Sequence, residues 1–277
     1  MGEKLKDQFG RTFPYIRLSI TDVCNFKCGY CLPNGYFKPN NHPGFLNISE
    51  IENLVNGLSD LGVSKIRVTG GEPTVRKDFF DVMKLIKAKE GIKKLVVTTN
   101  GYKLDKLAER FLETGVDGIN ISIDSLDRNK FKEITGHDRL PEILEGIKIL
   151  QSKGFHNIKV NAVLLKNIND TKEEFDRWEE FINNNKINFR YIELMQTGDN
   201  LDYFKKYHQS AKVFRDYIES KGWKNIDRAR DDGPALNYIN ESTKGKFGVI
   251  APYSKDFCKT CNRLRITAKG ELRLCLF

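Results

Sequence analysis

Tyr15-Ile16-Arg17-Leu18-Ser19-Ile20 runs through Thr21-Asp22-Val23 into Cys24-Asn25-Phe26-Lys27-Cys28-Gly29-Tyr30-Cys31. The first run is short and apolar-rich, like strands buried in parallel sheets. Five more runs of the same kind follow, Lys65–Thr69, Leu95–Thr98, Gly118–Ile123, Ile158–Leu164 and Asn188–Glu193. Amphipathic segments lie between them. Ser49-Glu50-Ile51-Glu52 reads as a capping box opening a helix through Leu58, and Thr171-Lys172-Glu173-Glu174 opens another to about Asn184. Spacing predicts further helices over 76–89, 103–113, 127–134 and 141–153, the first ending near Gly91. Strands alternating with helices argue for parallel βα units curled into a barrel. Eight units would fill about 250 residues. Six are visible here, so the expected fold is α/β, a partial (β/α)6 TIM-type barrel. Working residues in such folds sit at the C-terminal ends of the strands. The cysteine loop, Gly70-Gly71-Glu72-Pro73 and Asn100-Gly101 all fall there.

The alternation stops after Met195-Gln196-Thr197-Gly198-Asp199-Asn200. A helix near 210–221, the stretch Asp231-Asp232-Gly233-Pro234 and short strands around Lys246–Ile250 and Leu264–Thr267 complete the chain. The expected division is 1–200 for the barrel and 201–277 for a small C-terminal α+β region docked on its open side.

The chain has 277 residues, 39% of them hydrophobic, which excludes wholesale disorder. No apolar run approaches the roughly 20 residues needed to cross a bilayer, and the first residues lack the apolar core of a secretory signal. The expected location is the cytoplasm. A net charge of +9 favours an anionic partner, but the basic residues are spread along the chain, as on a solvated basic surface.

The six cysteines form two triplets, Cys24–Cys28–Cys31 and Cys258–Cys261–Cys275, with 226 cysteine-free residues between them. Scattered core cysteines would not cluster this way, and a reducing compartment disfavours disulfides. Three thiolates on one loop can hold three irons of a [4Fe-4S] cluster and leave the fourth iron open. A structural zinc wants four ligands, and the nearest His, His42, lies eleven residues beyond Cys31. The second triplet, C-x2-C-x13-C, again lacks an obvious fourth ligand; half a zinc ribbon is its alternative. The four histidines, His42, His137, His156 and His208, show no ligand spacing.

The first triplet after a first strand resembles the radical S-adenosylmethionine (SAM) superfamily. The stretches Gly10–Cys24, Arg67-Val68-Thr69-Gly70-Gly71-Glu72-Pro73-Thr74-Val75-Arg76, Tyr191-Ile192-Glu193-Leu194-Met195, Asp232-Gly233-Pro234-Ala235, Cys258-Lys259-Thr260-Cys261-Asn262-Arg263-Leu264-Arg265 and Cys275-Leu276-Phe277 carry the likeness further. They resemble, in order and over nearly the whole chain, the GTP 3′,8-cyclase family of molybdenum-cofactor biosynthesis. The resemblance implies two [4Fe-4S] clusters, one per triplet, with SAM at the first and the guanine base at the second. It implies SAM contacts from Tyr30, Gly70, Gly71, Glu72, Ser122 and Met195. Read without it, Gly70-Gly71-Glu72-Pro73 is an ordinary strand-to-helix turn, and Met at a strand end is core.

Arg17, Arg67, Lys159 and Arg190 lie on predicted strands, where a buried cation needs an anion. Arg offers a fork of donors to phosphate oxygens; an ordinary salt bridge is the alternative. The resemblance assigns Arg17, Arg67, Thr98, Lys159, Arg263, Leu264 and Arg265 to GTP, with Lys65 and Arg190 as further candidates. The implied reaction starts from a 5′-deoxyadenosyl radical that takes hydrogen from C3′ of GTP, after which C3′ joins C8 of the guanine. No catalytic side chain is implied beyond the groups that hold cofactor and substrate. The implied partners are an electron donor such as flavodoxin or ferredoxin, and cyclic pyranopterin monophosphate synthase downstream; neither a membrane nor a nucleic acid is expected. Members of the family continue beyond the position of Phe277 to a Gly-Gly tail, so a C-terminally truncated member is expected. Two other readings use the same cysteines: a radical SAM enzyme acting on a peptide or RNA, and a non-enzymatic iron–sulfur or zinc protein.

Overall fold

The computed structural model describes the chain except residues 1–3, 9, 41–43, 199, 228–233, 256, 258–262 and 276–277. His42, Asp231, Asp232, Gly233, Cys258 and Cys261 therefore lie outside the described residues. Strands β1 (Tyr15–Ser19), β2 (Lys65–Thr69), β3 (Lys94–Thr99), β4 (Gly118–Ser122), β5 (Ile158–Leu164) and β6 (Asn188–Glu193) are parallel neighbours in chain order. Each follows the expected run to within one residue at either end.

The first helices are α1 (Ile48–Asp60), α2 (Phe79–Ala88), α3 (Leu104–Glu113), α4 (Arg128–Thr135), α5 (Leu140–Ser152) and α6 (Lys172–Asn185). Two starts differ from expectation. The capping box of α1 is Asn47 with Glu50, not Ser49 with Glu52: Asn47 Oδ1 accepts from Glu50 N at 3.0 Å, and Glu50 Oε2 accepts from Asn47 N at 2.8 Å. Asn47 caps as well as serine does and sits at the spacing the reciprocal bond requires. The helix expected over 76–89 begins three residues later, after a 3-10 turn at Pro73–Val75. Arg76 stays extended there because its guanidinium is committed. It grips the Asp78 carboxylate at 2.6 and 2.9 Å and donates to the carbonyls of Ile20 (2.8 Å) and Leu46 (2.7 Å).

Beyond residue 200 come α7 (Leu201–Tyr207), α8 (Lys212–Ser220) and five strands, β7 (Lys224–Ile226), β8 (Leu236–Ile239), β9 (Lys246–Ile250), β10 (Arg263–Ile266) and β11 (Leu272–Arg273). These strands join the same sheet, whose order is β11-β10-β1-β2-β3-β4-β5-β6-β9-β8-β7. β9 adds parallel to β6 and β10 adds parallel to β1, so the parallel array has eight strands; β11 and the β7–β8 pair are antiparallel edges.

Side chains alternate across the sheet. One face packs Ile16, Leu18, Ile66, Val68, Leu95 and Val97 against the helices, all fully buried. The opposite face carries Arg17, Arg67, Thr98, Lys159 and Arg190, none of them in the apolar layer. Arg190 on β6 is among the charges that disfavour the Arg67 guanidinium on β2. Four strand spacings would separate them by roughly 19 Å in a flat sheet. The sheet therefore curls, and its polar face is the concave one.

Candidate functional site

The cysteine loop sits at the C-terminal rim of β1, held by the turn that follows β2. Gly71 N donates to Thr21 O at 2.9 Å and Glu72 N to Val23 O at 2.8 Å. The two glycines permit this approach. A Cβ at Gly70 would meet Thr21 O at 2.5 Å, and one at Gly71 would meet Asp22 O at 2.6 Å as well as Val23 O. Their small size thus has a structural reason inside the chain.

Glu72 is wholly buried. Its Oε1 accepts from Thr74 N (3.1 Å), Thr74 Oγ1 (2.7 Å) and Thr99 Oγ1 (2.8 Å), while Oε2 accepts from Asn100 N at 2.6 Å. Burial pushes this carboxyl up, and the hydrogen bonds pull the other way without cancelling the shift. Glu72 therefore fastens the β2 turn to the end of β3, with Oε2 the less committed oxygen.

Cys24 and Cys28 are half-buried and Cys31 is exposed. Burial pushes all three thiols up; Cys28 also feels Asp124, Cys31 and Cys24, and Cys31 feels Cys24 and Asp124. The three sulfurs are thus close enough to interact, on a loop that disfavours bare thiolates and so suits a positively charged group. Among the described residues no three Cys, His, Asp or Glu side chains close round a single ion. The donor set fits a cluster.

Two ties fix this loop from the other side. The Tyr30 hydroxyl donates to Asp124 Oδ2 at 2.9 Å, and Asp124 Oδ1 accepts from Val163 N at 2.8 Å. Burial raises the Asp124 carboxyl to about 6. Asn200 Nδ2 donates to Tyr30 O (3.3 Å) and Met195 O (3.0 Å) and leads into α7, whose Tyr203 ring covers Gly29. Gly70, Gly71, Glu72, Ser122, Met195 and Tyr30 thus all stand on the C-terminal rim, at the ends of β2, β4 and β6 and in the cysteine loop.

Below the rim the concave face is cationic. In register, Arg263, Tyr15 and Lys65 form one row across β10, β1 and β2, and Arg265, Arg17 and Arg67 form the next. Thr98, Asn120 and Lys159 make another row across β3, β4 and β5. The Nε atoms of Arg17 and Arg67 are buried without a hydrogen-bond partner among the described residues. Burial, followed by Arg17, Arg190 and Arg263, lowers Arg67 to about 9 against the pull of Tyr15. Arg265 is lowered to about 10 by burial, Arg17 and Arg263, with Cys275 opposing. Guanidiniums crowded like this call for a polyanion.

Three cavities open on this face. One of about 240 Å3 touches Arg17, Gly70, Arg265, Arg273 and Cys275. One of about 420 Å3 touches Lys65, Arg67, Lys94 and Lys159; its acid, Asp117, already holds Lys87 at 2.7 Å. One of about 120 Å3 touches Lys159, Arg190 and Lys246. The first brings the third cysteine of the second triplet to the arginines and to the glycine turn.

Leu264 is placed differently from its neighbours. Its side chain is 4% exposed and lies in the apolar layer behind the sheet, so only its backbone stands between Arg263 and Arg265 on the concave side. Lys94, Lys246 and Arg273 went unmarked in the sequence. Alternation would have found Lys246, two positions before Gly248 on an expected strand, but Lys94 fell just outside the expected run. His208, given no role from sequence, bonds buried Glu193 at 3.0 Å, and Glu193 also accepts from Ala211 N at 2.9 Å, which joins β6 to the start of α8.

Among the described residues no helix is long and apolar enough to cross a membrane. Residues 18–182 match the Radical SAM superfamily model, and residues 187–277 match Molybdenum Cofactor Synthesis C. A GTP 3′,8-cyclase of Stenotrophomonas maltophilia is 48% identical over 274 residues, 99% of this chain and 83% of that protein. One from Mannheimia succiniciproducens is 46% identical over 274 residues, 99% of this chain and 81% of that protein. Among solved structures, Streptococcus suis SuiB bound to S-adenosylmethionine superposes with a TM-score of 0.70 at 19% identity, covering 95% of this chain and 60% of that one. The likeness to SuiB is one of fold.

Proposed function

The chain belongs to the GTP 3′,8-cyclase family of radical SAM enzymes, and on that premise we propose that it converts GTP to (8S)-3′,8-cyclo-7,8-dihydroguanosine 5′-triphosphate, the first step of molybdopterin biosynthesis. Members of the family use SAM and [4Fe-4S] clusters. Bound there, the cofactor would supply the radical chemistry needed to take hydrogen from a ribose.

The chain's own residues do the positioning. Cys24, Cys28 and Cys31 would hold the first cluster on a loop fixed by Gly71, Glu72, Tyr30 and Asn200. Tyr30, Gly70, Gly71, Glu72, Ser122 and Met195 supply the rim on which SAM is proposed to lie. Arg17, Arg67, Lys65, Lys159, Arg190, Arg263 and Arg265 face the proposed triphosphate, and Thr98 shares a row with Lys159. Leu264 is proposed to act through its backbone, given where its side chain lies. Cys275, with Cys258 and Cys261 outside the described residues, is proposed to hold the second cluster against the guanine. The observation that carries this reading is the single cavity shared by Arg17, Gly70, Arg265 and Cys275, because it joins the elements proposed for phosphate, SAM and second cluster.

We further propose that the electron comes from a flavodoxin or ferredoxin, that the product passes to cyclic pyranopterin monophosphate synthase, and that the reaction takes place in the cytoplasm. The match to Molybdenum Cofactor Synthesis C supports the pathway. The test is anaerobic reconstitution with iron and sulfide, then SAM, GTP and a reductant, with mass spectrometry of the nucleosides. GTP-dependent 5′-deoxyadenosine together with a cyclised nucleotide is the expected result. Deoxyadenosine without cyclised GTP would point to another substrate, and bound zinc without SAM cleavage would refute the reading.

A further inference from the structure

Six inward side chains on β10, β1 and β2 form two rows, and five of them are cations. The sixth is Tyr15. Adjacent strands lie about 4.8 Å apart, and same-face neighbours along a strand about 6.7 Å apart, so the phenol is ringed by positive charge. Tyr15 is 3% exposed, and its hydroxyl has no hydrogen-bond partner among the described residues. Lys65 Nζ stands 4.9 Å and Arg67 Cζ 5.5 Å from the ring centroid. Arg17 lies near enough to the hydroxyl to favour its anion, though outside hydrogen-bonding geometry. The charged groups facing Tyr15 are Arg17 from its own strand, Lys65 and Arg67 from β2 and Arg263 from β10, with Arg265 and Arg190 behind them.

A buried phenol ordinarily finds a partner, and an unsatisfied hydroxyl is costly. Here burial pushes the phenol up, but Arg67, Arg17 and Arg263 outweigh it and hold it down at about 8. We propose that Tyr15 is a titratable counter-ion of the concave face: in mildly alkaline solution without nucleotide its phenolate offsets part of the surrounding positive charge, and an arriving triphosphate takes over that role while the ring oxygen takes up a proton. This rests on the reading of the face as a triphosphate site. The step is proton uptake from solvent alone, a phenolate becoming a phenol, with no other bond changed. Where the phenolate forms it offsets repulsion among the arginines before substrate arrives, and it makes nucleotide affinity fall as pH rises above about 8.

The test compares the anaerobic, cluster-loaded wild type with Tyr15→Phe, which keeps the ring and its packing. GTP binding is followed by calorimetry from about pH 7 to about pH 9 in buffers of different ionisation heat. GTP's own titration is common to both proteins and cancels. Wild type is expected to take up roughly half a proton more per GTP than Tyr15→Phe near pH 8. Its Kd should also rise, relative to the variant, by up to about tenfold per pH unit above that point. Equal proton counts and equal pH slopes would overturn the proposal.

A second readout needs no GTP. With tyrosine labelled at Cζ, the carbon resonance missing from Tyr15→Phe should titrate near about 8. Titration at the ordinary phenol value would also overturn the proposal. A wild type that binds no GTP would refute the substrate reading, and with it the displacement step, while the carbon resonance still decides whether the phenolate forms.

Discussion

Replacing Gly71 by alanine would drive a methyl group against the Val23 carbonyl oxygen and to 2.6 Å from that of Asp22. Both obstacles are backbone, so no rotamer change relieves them. Either the β2 turn or the cysteine loop has to move. Overpacking of this kind costs about 1–3 kcal/mol. Moving the loop also strains the bonds from Gly71 N to Thr21 O (2.9 Å) and from Glu72 N to Val23 O (2.8 Å), worth about 1 kcal/mol each. The expected loss is therefore about 3–5 kcal/mol, a large share of the roughly 5–15 kcal/mol by which a folded domain is stable. At about 2–4 °C per kcal/mol for a chain of this size, the melting point should fall by roughly 6–20 °C.

The control is Gly57→Ala. Gly57 is helical, in α1, with nothing within 4 Å of its added Cβ, and should gain about 0.5–1 kcal/mol. Scanning calorimetry under anaerobic conditions, paired with iron analysis, reads both consequences. Gly71→Ala should melt early and retain less iron on the first triplet. A Gly71→Ala protein that melts with Gly57→Ala and keeps its full iron would refute the claim that this glycine seats the cluster loop.

Other perturbations separate the fastening residues from the binding residues. Glu72→Gln must turn its amide N–H2 toward either Asn100 N–H or the Thr74 and Thr99 donors, so a denaturation midpoint lowered by about 2–3 kcal/mol is expected; an unchanged midpoint would exclude the staple. Arg67→Met removes one crowded guanidinium, so the nucleotide-free protein should gain about 1–4 kcal/mol in stability while GTP binding weakens by about 10–100-fold. Loss of stability together with unchanged GTP affinity would contradict the anion-site reading. Gly29→Ala meets the Tyr203 ring first, at 2.8 Å. A side chain can swing aside where a carbonyl cannot, so it should cost under about 1.5 kcal/mol, and a Tyr203→Ala background should abolish even that. Equal damage from Gly29→Ala and Gly71→Ala would show that the distinction between ring and backbone obstacles is wrong.

The six barrel strands could be read from the sequence because each is a short β-branched run buried on its outer face by neighbours in chain order. Ile66 and Val68 between Lys65, Arg67 and Thr69 announce both the strand and its cationic side. The strands after residue 200 were harder to read for a physical reason. β7, β8 and β11 are two to four residues long and half exposed, so they carry little hydrophobic signal. Their pairing depends on partners far along the chain, and no local pattern reveals that β9 adds to β6 while β10 returns to β1. The helix α7 was missed because none of its residues is buried enough to mark a face. At the site, residue types with strong chemistry announced themselves: the cysteines, the glycine pair and the arginines. Tyr15, Asp124 and Asn200 did not, since a tyrosine on a strand or an Asp after one is unremarkable until the structure shows what surrounds it.

The strand order also sets a schedule for synthesis. β1 leaves the ribosome well before the partner for one of its edges, β10, which is encoded about 250 residues later. At about 5–20 residues per second, that edge stands without its ladder for roughly 12–50 s. During this interval the first three cysteines, carried just beyond β1, are on an incompletely paired strand, and an open edge invites pairing with other chains. The arrival of β10 closes the edge and delivers Arg263 and Arg265 beside Tyr15 and Arg17 in the same stroke. Completion of the cationic face therefore waits for β10, and until β10 is made β1 has one open edge and the face lacks Arg263 and Arg265.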